Sequence, residues 1–181
     1  MAHINVPDGV PGIRSLVMFR PETGQHLYAL AEVLLRGDST LTQAERELMA
    51  AYVSRRNECV FCSSSHAAAA RCLYGEGDAT VDDVLNDLDA SNISPKLKSL
   101  LQIAGKVQIL GKEVKQDDID VARGLGATDK EIHDTVLIAA SFSMFNRYVD
   151  GLASLTPTNP EEYKEMGKRM VQGYVLPPNN S

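Results

Sequence analysis

Two thiols, an imidazole and a carboxylate stand together in one stretch of this chain, ERELMAAYVSRRNECVFCSSSH, residues 45–66. Cys59 and Cys62 form a Cys-x-x-Cys pair, His66 follows Cys62 by four residues, and Glu47 precedes the pair. A free thiol has a pKa of ~8.5 and is only slightly ionised at neutral pH, so it is a poor nucleophile until something takes its proton. A Cys-x-x-Cys at a helix start meets part of that need, because unpaired first-turn N–H groups and the helix dipole favour negative charge there. Cysteines three apart share a helix face and can close a disulfide with little backbone movement, one sulfur attacking and the other resolving. His66 lies one turn beyond Cys62 on that face and can accept a thiol proton, directly or through a water. Cys59, Cys62, His66 and Glu47 are therefore the candidate catalytic residues. Exposure at the helix start favours Cys59 as the attacking sulfur, whereas proximity to His66 favours Cys62.

Glu47 needs a helix hairpin to reach this group. Thr42-x-x-Glu45 matches a capping box and opens a helix that runs to about Arg56. Asn57 and Glu58 break it, and a second helix runs from near Cys59 to Gly75. If the two fold back on each other, Glu47 and His66 lie at similar heights, ~12–15 Å from the turn at ~1.5 Å per residue. The carboxylate can then orient His66 or act as terminal proton acceptor, across a gap that a water can fill.

The remaining elements read as a helical scaffold. Val6-Pro7 and Val10-Pro11 make residues 1–12 an extended arm, frayed or wrapped on a neighbour. Ile13 to Phe19 is a short helix, and Pro21 opens another that ends at Gly37. Ala67 to Ala70 have small side chains that admit a second helix closely. A short helix follows at Val81 to Leu88, a longer one from Ser94-Pro95 to about Leu110, and a further short one at Asp117 to Arg123. Thr128-x-x-Glu131 is a second capping box and opens the longest helix, to about Leu155. That helix is apolar nearly all round, so it is central or lies in a subunit interface. A last helix spans Glu161 to Gln172, and the tail PPNNS reads as loose. With no strand-period alternation of any length, the fold class is all-α with eight or so helices. The chain is expected to form one domain over 1–181, with a redox half at about 21–90, a second helical half at about 94–155 and the C-terminal helix at 161–172. A shift of 52 positions lays Leu41-Thr42 on Ile93-Ser94, a faint internal repeat whose second copy lacks the thiols and the histidine.

Composition narrows the function classes. The 181 residues are 44% apolar with a net charge of −6, a globular and acidic balance. No basic cluster is present, which argues against nucleic-acid binding. The most apolar run, Val136 to Met144, is too short to span a membrane and contains Ser141 and Ser143. Residues 1–12 lack the features of a signal peptide, and three cysteines leave one unpaired, so a reducing cytoplasm is the expected compartment. One Cys pair without a second falls short of a zinc site, and no metal or cofactor is expected. Cys72 reads as a small core residue. Asn146 and Arg147 read as interface or capping groups, Lys164 to Arg169 as a solvated face, and His3, His26 and His133 support no functional claim.

Glu47, Cys59-Val-Phe-Cys62 and His66 resemble the motif of the alkylhydroperoxidase AhpD-like, peroxidase-related branch of the carboxymuconolactone decarboxylase superfamily. Gly126-Ala-Thr-Asp-Lys-Glu-Ile132 and Phe145-Asn-Arg147 are similar to that branch's second half, and the likeness covers about Ala29 to Leu155. The resemblance implies an AhpD-like helical bundle that assembles as a homo-oligomer (dimer, trimer or hexamer). It implies a thiol-dependent peroxidase or disulfide reductase, with Cys59 and Cys62 as the redox pair and Glu47 and His66 as the proton relay. The substrate would be a hydroperoxide or a disulfide, and the reductant a dithiol such as a lipoyl or thioredoxin-like protein. Phe61 stands where some members carry a second histidine, and a phenyl ring relays no proton. Decarboxylating members generally lack the Cys pair. Two other readings are a decarboxylase- or isomerase-type enzyme using His66 and Glu47, and a non-enzymatic, redox-sensing helical oligomer.

Overall fold

The computed structural model describes residues 1–174, and the loose reading of PPNNS falls outside them. Among the described residues there are nine α-helices and no strand. They are α1 (Ile13–Phe19), α2 (Pro21–Arg36), α3 (Gln43–Arg56), α4 (Val60–Tyr74), α5 (Thr80–Asn86), α6 (Pro95–Ile109), α7 (Gln116–Gly124), α8 (Asp129–Gly151) and α9 (Pro160–Met170), with a 3-10 turn at Gly111–Glu113. The fold is all-α, as the periodicity predicts.

The helix starts follow their capping chemistry. Thr42 Oγ1 accepts from the Glu45 N–H at 3.1 Å, and the Glu45 carboxylate accepts from the Thr42 N–H at 2.7 Å. Thr128 and Glu131 form the same reciprocal pair, and Ser94 accepts from the Leu97 N–H at 3.2 Å. The shift of 52 lays Gln43–Arg56 on residues 95–108, nearly the span of α6, with N-cap Thr42 on N-cap Ser94.

Two helix ends share one device. After α3, Glu58 takes a left-handed φ of 60°, the Cys59 N–H returns to Ser54 O at 3.1 Å, and the Glu58 N–H returns to Arg55 O at 3.0 Å. That is the Schellman arrangement, here without glycine. It reverses the chain within a few residues and delivers Cys59 to the first turn of α4. After α8, Ala153 plays the same part at φ 48°, with Ser154 N–H to Val149 O at 3.2 Å and Ala153 N–H to Asp150 O at 3.0 Å. The longest helix therefore stops at Gly151, earlier than the apolar pattern to Leu155 suggests.

The most enclosed helix is α3, where Leu48, Met49, Ala50, Ala51 and Val53 have no exposed surface. It packs on α4, α6 and α8. The helix expected to be central or to lie in a subunit interface, α8, is one-sided in the single chain, with Ile138, Ala139, Phe142 and Val149 buried and Ala140, Met144 and Arg147 exposed. On the far side of α4, α9 crosses at the alanine stretch. A Cβ at Gly167 would lie 2.7 Å from the Ala68 carbonyl carbon, so the close approach requires glycine on one helix and alanine on the other. The N-terminal arm lies on its own chain. His3 N–H donates to Leu152 O at 2.9 Å and Gly12 N–H to Leu155 O at 2.8 Å. Gly12, at φ 56°, sits against the Phe61 ring, where a Cβ would come within 1.9 Å of Cε1.

Candidate functional site

The α3–α4 hairpin brings Glu47 and His66 into direct contact. Glu47 Oε2 lies 2.6 Å from His66 Nδ1, with no room for the bridging water that the hairpin estimate allows. Glu47 is 0% exposed and His66 8%. The imidazole packs edge-on against Phe142 of α8, at 4.6 Å between ring centroids. A buried carboxylate needs partners to remain charged. Burial pushes the Glu47 pKa up, but the charge and hydrogen bond of His66, the Arg36 guanidinium and the Tyr174 hydroxyl outweigh it and hold the group below its ordinary value. Glu47 thus holds the imidazole through its Nδ1.

Arg36 and Tyr174 are not legible as site residues in the sequence. Arg36 ends α2 and donates to Glu47 Oε1 at 2.6 Å, to Met170 O at 2.8 Å and to Leu35 O at 2.9 Å. Tyr174, in the segment after α9, donates its hydroxyl to the same Oε1 at 2.6 Å. Arg46, also buried, binds the carbonyls of Leu34 and Gly37 at 3.0 and 2.8 Å. It ties the end of α2, and with it Arg36, to α3.

The two thiols lie in a small apolar cluster formed by Leu16, Phe61, Val149, Tyr163 and Met166. Cys59 is 0% exposed and Cys62 4%, so the argument that exposure favours Cys59 fails. Both are free and share that cluster. Cys59 holds its proton more tightly than an ordinary thiol. Its hydrogen bond to Cys62 contributes most, followed by burial and the Cys62 charge, and the Asp150 carboxylate at the end of α8 adds to them. The Cys62 N–H at the helix start pulls the other way and loses. The expected depression of a helix-start thiol is thus reversed at Cys59, because desolvation and a neighbouring sulfur outweigh one N–H.

Other groups frame the pair. Asn57, in the hairpin turn, donates to Asn146 Oδ1 at 2.8 Å, and Asn146 donates to Ser54 Oγ at 3.0 Å, so the buried Asn146 ties α8 to the turn. Asn57, Asn146, Arg147, Asp150 and Gly151 line a cavity of about 480 Å³. A larger groove of about 1380 Å³ runs along the outer side of α4, and Tyr163 belongs both to its wall and to the cluster around the thiols. Cys72 also lines this groove and is exposed, which corrects its reading as a core residue. The face of α4 opposite the α3 contact carries it. Among the described residues, no group of three or more His, Cys, Asp or Glu side chains is placed to hold a metal ion, and no helix is long and apolar enough to cross a membrane.

A family model described as the carboxymuconolactone decarboxylase family matches residues 21–106, from the start of α2 into α6. No curated protein matches the chain. An uncharacterized peroxidase-related protein from Ralstonia eutropha JMP134, described as an alkylhydroperoxidase AhpD core, shares the fold at a TM-score of 0.77 and 28% identity, over 88% of this chain and 82% of that one. A second uncharacterized peroxidase-related protein, from Silicibacter sp. TM1040, gives 0.77 and 27%, over 86% and 79%. A protein of unknown function from Agrobacterium tumefaciens, at 0.71 and 19% identity over 88% and 100%, shares the fold alone. The family match spans the hairpin that carries Glu47, Cys59, Cys62 and His66, so the chain is similar there to the carboxymuconolactone decarboxylase family and, over most of its length, to solved peroxidase-related proteins of the AhpD fold.

Proposed function

We propose that this protein is a thiol-dependent peroxidase or dithiol–disulfide oxidoreductase in which Cys62 attacks, Cys59 resolves, His66 carries the proton and Glu47 orients His66. The observation that carries the reading is the 2.6 Å contact between Glu47 and His66, one helical turn from a pair of thiols that share one buried cluster. The position of Cys62, one helical turn from His66, supports the order of attack.

The steps balance on this chain and two substrates. His66 takes the Cys62 proton, and the thiolate attacks one peroxide oxygen. The O–O bond breaks, the leaving alkoxide takes the proton from His66, and Cys62 becomes a sulfenic acid. Cys59 then attacks the Cys62 sulfur, its proton leaves with the hydroxyl as water, and a Cys59–Cys62 disulfide forms. An external dithiol, of the lipoyl or thioredoxin-like class, reduces that disulfide by exchange. With a disulfide substrate, the first attack releases one thiol and leaves a mixed disulfide on Cys62, and Cys59 then attacks the Cys62 sulfur and releases the second thiol, forming the same Cys59–Cys62 disulfide. A cytoplasmic location and self-association into a homo-oligomer belong to the same reading.

The test is a mass measurement on the reduced protein before and after one equivalent of hydroperoxide. The expected result is loss of two hydrogens confined to the peptide holding Cys59 and Cys62. Cys59→Ser should stop at the sulfenic acid, and Cys62→Ser should consume no peroxide. Oxidation at Cys72 alone, or peroxide consumption unchanged in both serine variants, would refute the proposal.

A further inference from the structure

After α9 the chain turns back at Gly173, whose φ of 123° suits glycine and where a Cβ would meet Glu32 Oε2 at 3.2 Å. The Tyr174 N–H donates to that same Glu32 oxygen at 2.6 Å. The Arg36 guanidinium carbon lies 5.1 Å from the centroid of the Tyr174 ring. The ring is also stacked on His66, at 6.2 Å between centroids and 17° between planes. Its hydroxyl donates to Glu47 Oε1 at 2.6 Å and lies 3.4 Å from His66 Nδ1. Burial and the facing Glu47 carboxylate push the phenol well above its ordinary 10.0, so it is a hydroxyl and a donor over any physiological pH.

Counting protons assigns the imidazole. The Tyr174 hydroxyl has one proton and spends it on Glu47 Oε1. His66 Nδ1 then faces two oxygens that offer only lone pairs, Glu47 Oε2 and the phenol oxygen. A neutral ring must therefore carry its proton on Nδ1, which leaves the lone pair on Nε2. Glu47 Oε1 is occupied by Arg36 and Tyr174 together, and Oε2 is left to His66.

We propose that Tyr174 is a positioning residue of the thiol site, which with Arg36 fixes the Glu47 carboxylate and so keeps His66 in the tautomer whose Nε2 is free to act as base. This inference rests on the proposed relay of Cys62, His66 and Glu47. The groups that face His66 are Glu47 of α3 and Tyr174 of the return segment, with Arg36 and Glu32 of α2 acting through those two, while α8 offers the uncharged Phe142 ring and Cys62 lies one turn earlier on the same helix. Without the phenol hydroxyl, more of the Glu47 charge falls on His66. Alkylation of Cys62 through that base then sets in at higher pH.

The test compares Tyr174→Phe with the parent, both carrying Cys59→Ser and Cys72→Ser so that one thiol reports. Alkylation of Cys62 by iodoacetamide is followed against pH, and the state of the His66 nitrogens by nitrogen-15 NMR. The expected result is an acid limb moved up by about half a pH unit or more, with loss of the fixed Nδ1-protonated signature. An unmoved limb with an unchanged tautomer overturns the proposal, as does a loss of stability alone. Should Tyr174→Phe not fold, the full chain decides. A protonated Nδ1 with a slowly exchanging, downfield Tyr174 hydroxyl proton is expected, and a proton on Nε2 of the neutral ring overturns it. Alkylation reads the thiolate and not turnover, so a protein that consumes no hydroperoxide would end the functional reading and still leave the role of Tyr174 decided by the acid limb.

Discussion

Two carboxylates are sealed inside this bundle, Glu47 on α3 and Glu131 on α8, and their partners differ in kind. Glu131 accepts from Lys96 Nζ at 2.8 Å, Thr40 Oγ1 at 2.9 Å and the Thr128 N–H at 2.7 Å. Burial pushes it up, but the Lys96 and Thr128 hydrogen bonds, the Thr40 hydroxyl and the Lys96 charge bring it down to about 2. Glu47 is equally enclosed and also held low, but its Oε2 meets an imidazole. Histidine is the side-chain type that gains and loses a proton near neutral pH, whereas lysine and a helix N-cap do not. Burial and a depressed pKa are thus shared by a helix cap and a candidate relay. What separates them is whether any partner can pass a proton onward, and whether a nucleophile lies within a helical turn of that partner.

The largest difference should appear in turnover. Glu47→Gln keeps the shape and removes the charge that orients His66, and hydroperoxide turnover should fall roughly 10²–10⁴-fold, the range for losing acid–base assistance. Glu131→Gln should leave turnover within a few-fold of the parent at a temperature where both are folded. Steady-state peroxidase assays on the two variants make the comparison. Equal losses in both, with native circular dichroism, would mean that the two carboxylates are not distinguished by their partners.

Stability should rank them the same way. Glu47→Ala strands Arg36, whose side chain is 6% exposed, without its anion. Removing one partner of such a buried pair costs about 3–5 kcal/mol. At Glu131 the partner Lys96 is 30% exposed and can turn to water, so Glu131→Ala should cost about 2 kcal/mol, including the lost cap. Urea denaturation of both variants measures the gap. Adding Arg36→Met to Glu47→Ala should recover much of the stability and none of the turnover.

Much of this arrangement was readable in residue order, for physical reasons that also explain what was not. Both capping boxes and the hairpin break at Asn57 and Glu58 are local, encoded within a few residues, and they form as expected. The Glu47–His66 contact was readable because helical rise fixes heights on both sides of a tight turn. Arg36 and Tyr174 reach the same carboxylate from other helical segments, with no periodic signal linking them to it. Asp150 comes from the far end of α8. Cys72 was read as core because free cysteines usually are, yet α4 turns it outward. The end of α8 was misplaced because Ala153 adopts a left-handed conformation that favours glycine, and its side chain gives no sign of it.

Acid should expose the stability held at Glu131. Its folded value of about 2 lies below the ordinary 4.5, so its contribution is complete above the ordinary value and is lost as pH falls toward about 2. Allowing for the solvent around Lys96, about 2 kcal/mol is at stake. Glu131→Gln should therefore flatten the urea midpoint between those two pH values. Glu47 is shifted in the same direction, so some acid sensitivity should survive in Glu131→Gln, and a wholly flat profile would show that Glu47 contributes none.

The smallest change tests the comparison most finely, because it removes one neutral hydroxyl from each carboxylate. Thr40→Val deletes the 2.9 Å bond to Glu131 and nearly conserves volume. The cost should be about 0.5–1.5 kcal/mol, read as a shift in urea midpoint at constant slope. Neither the pH dependence of Cys62 alkylation nor peroxide turnover should change, since Thr40 and Glu131 face no group that exchanges protons with the thiols. Tyr174→Phe deletes the 2.6 Å bond to Glu47 and is expected to move the alkylation profile. Two deletions of the same chemical group should therefore differ in kind, one read in stability alone and the other in thiol reactivity. If Thr40→Val also shifted the acid limb, Glu131 would be coupled to the thiols, and the division between cap and relay would fail.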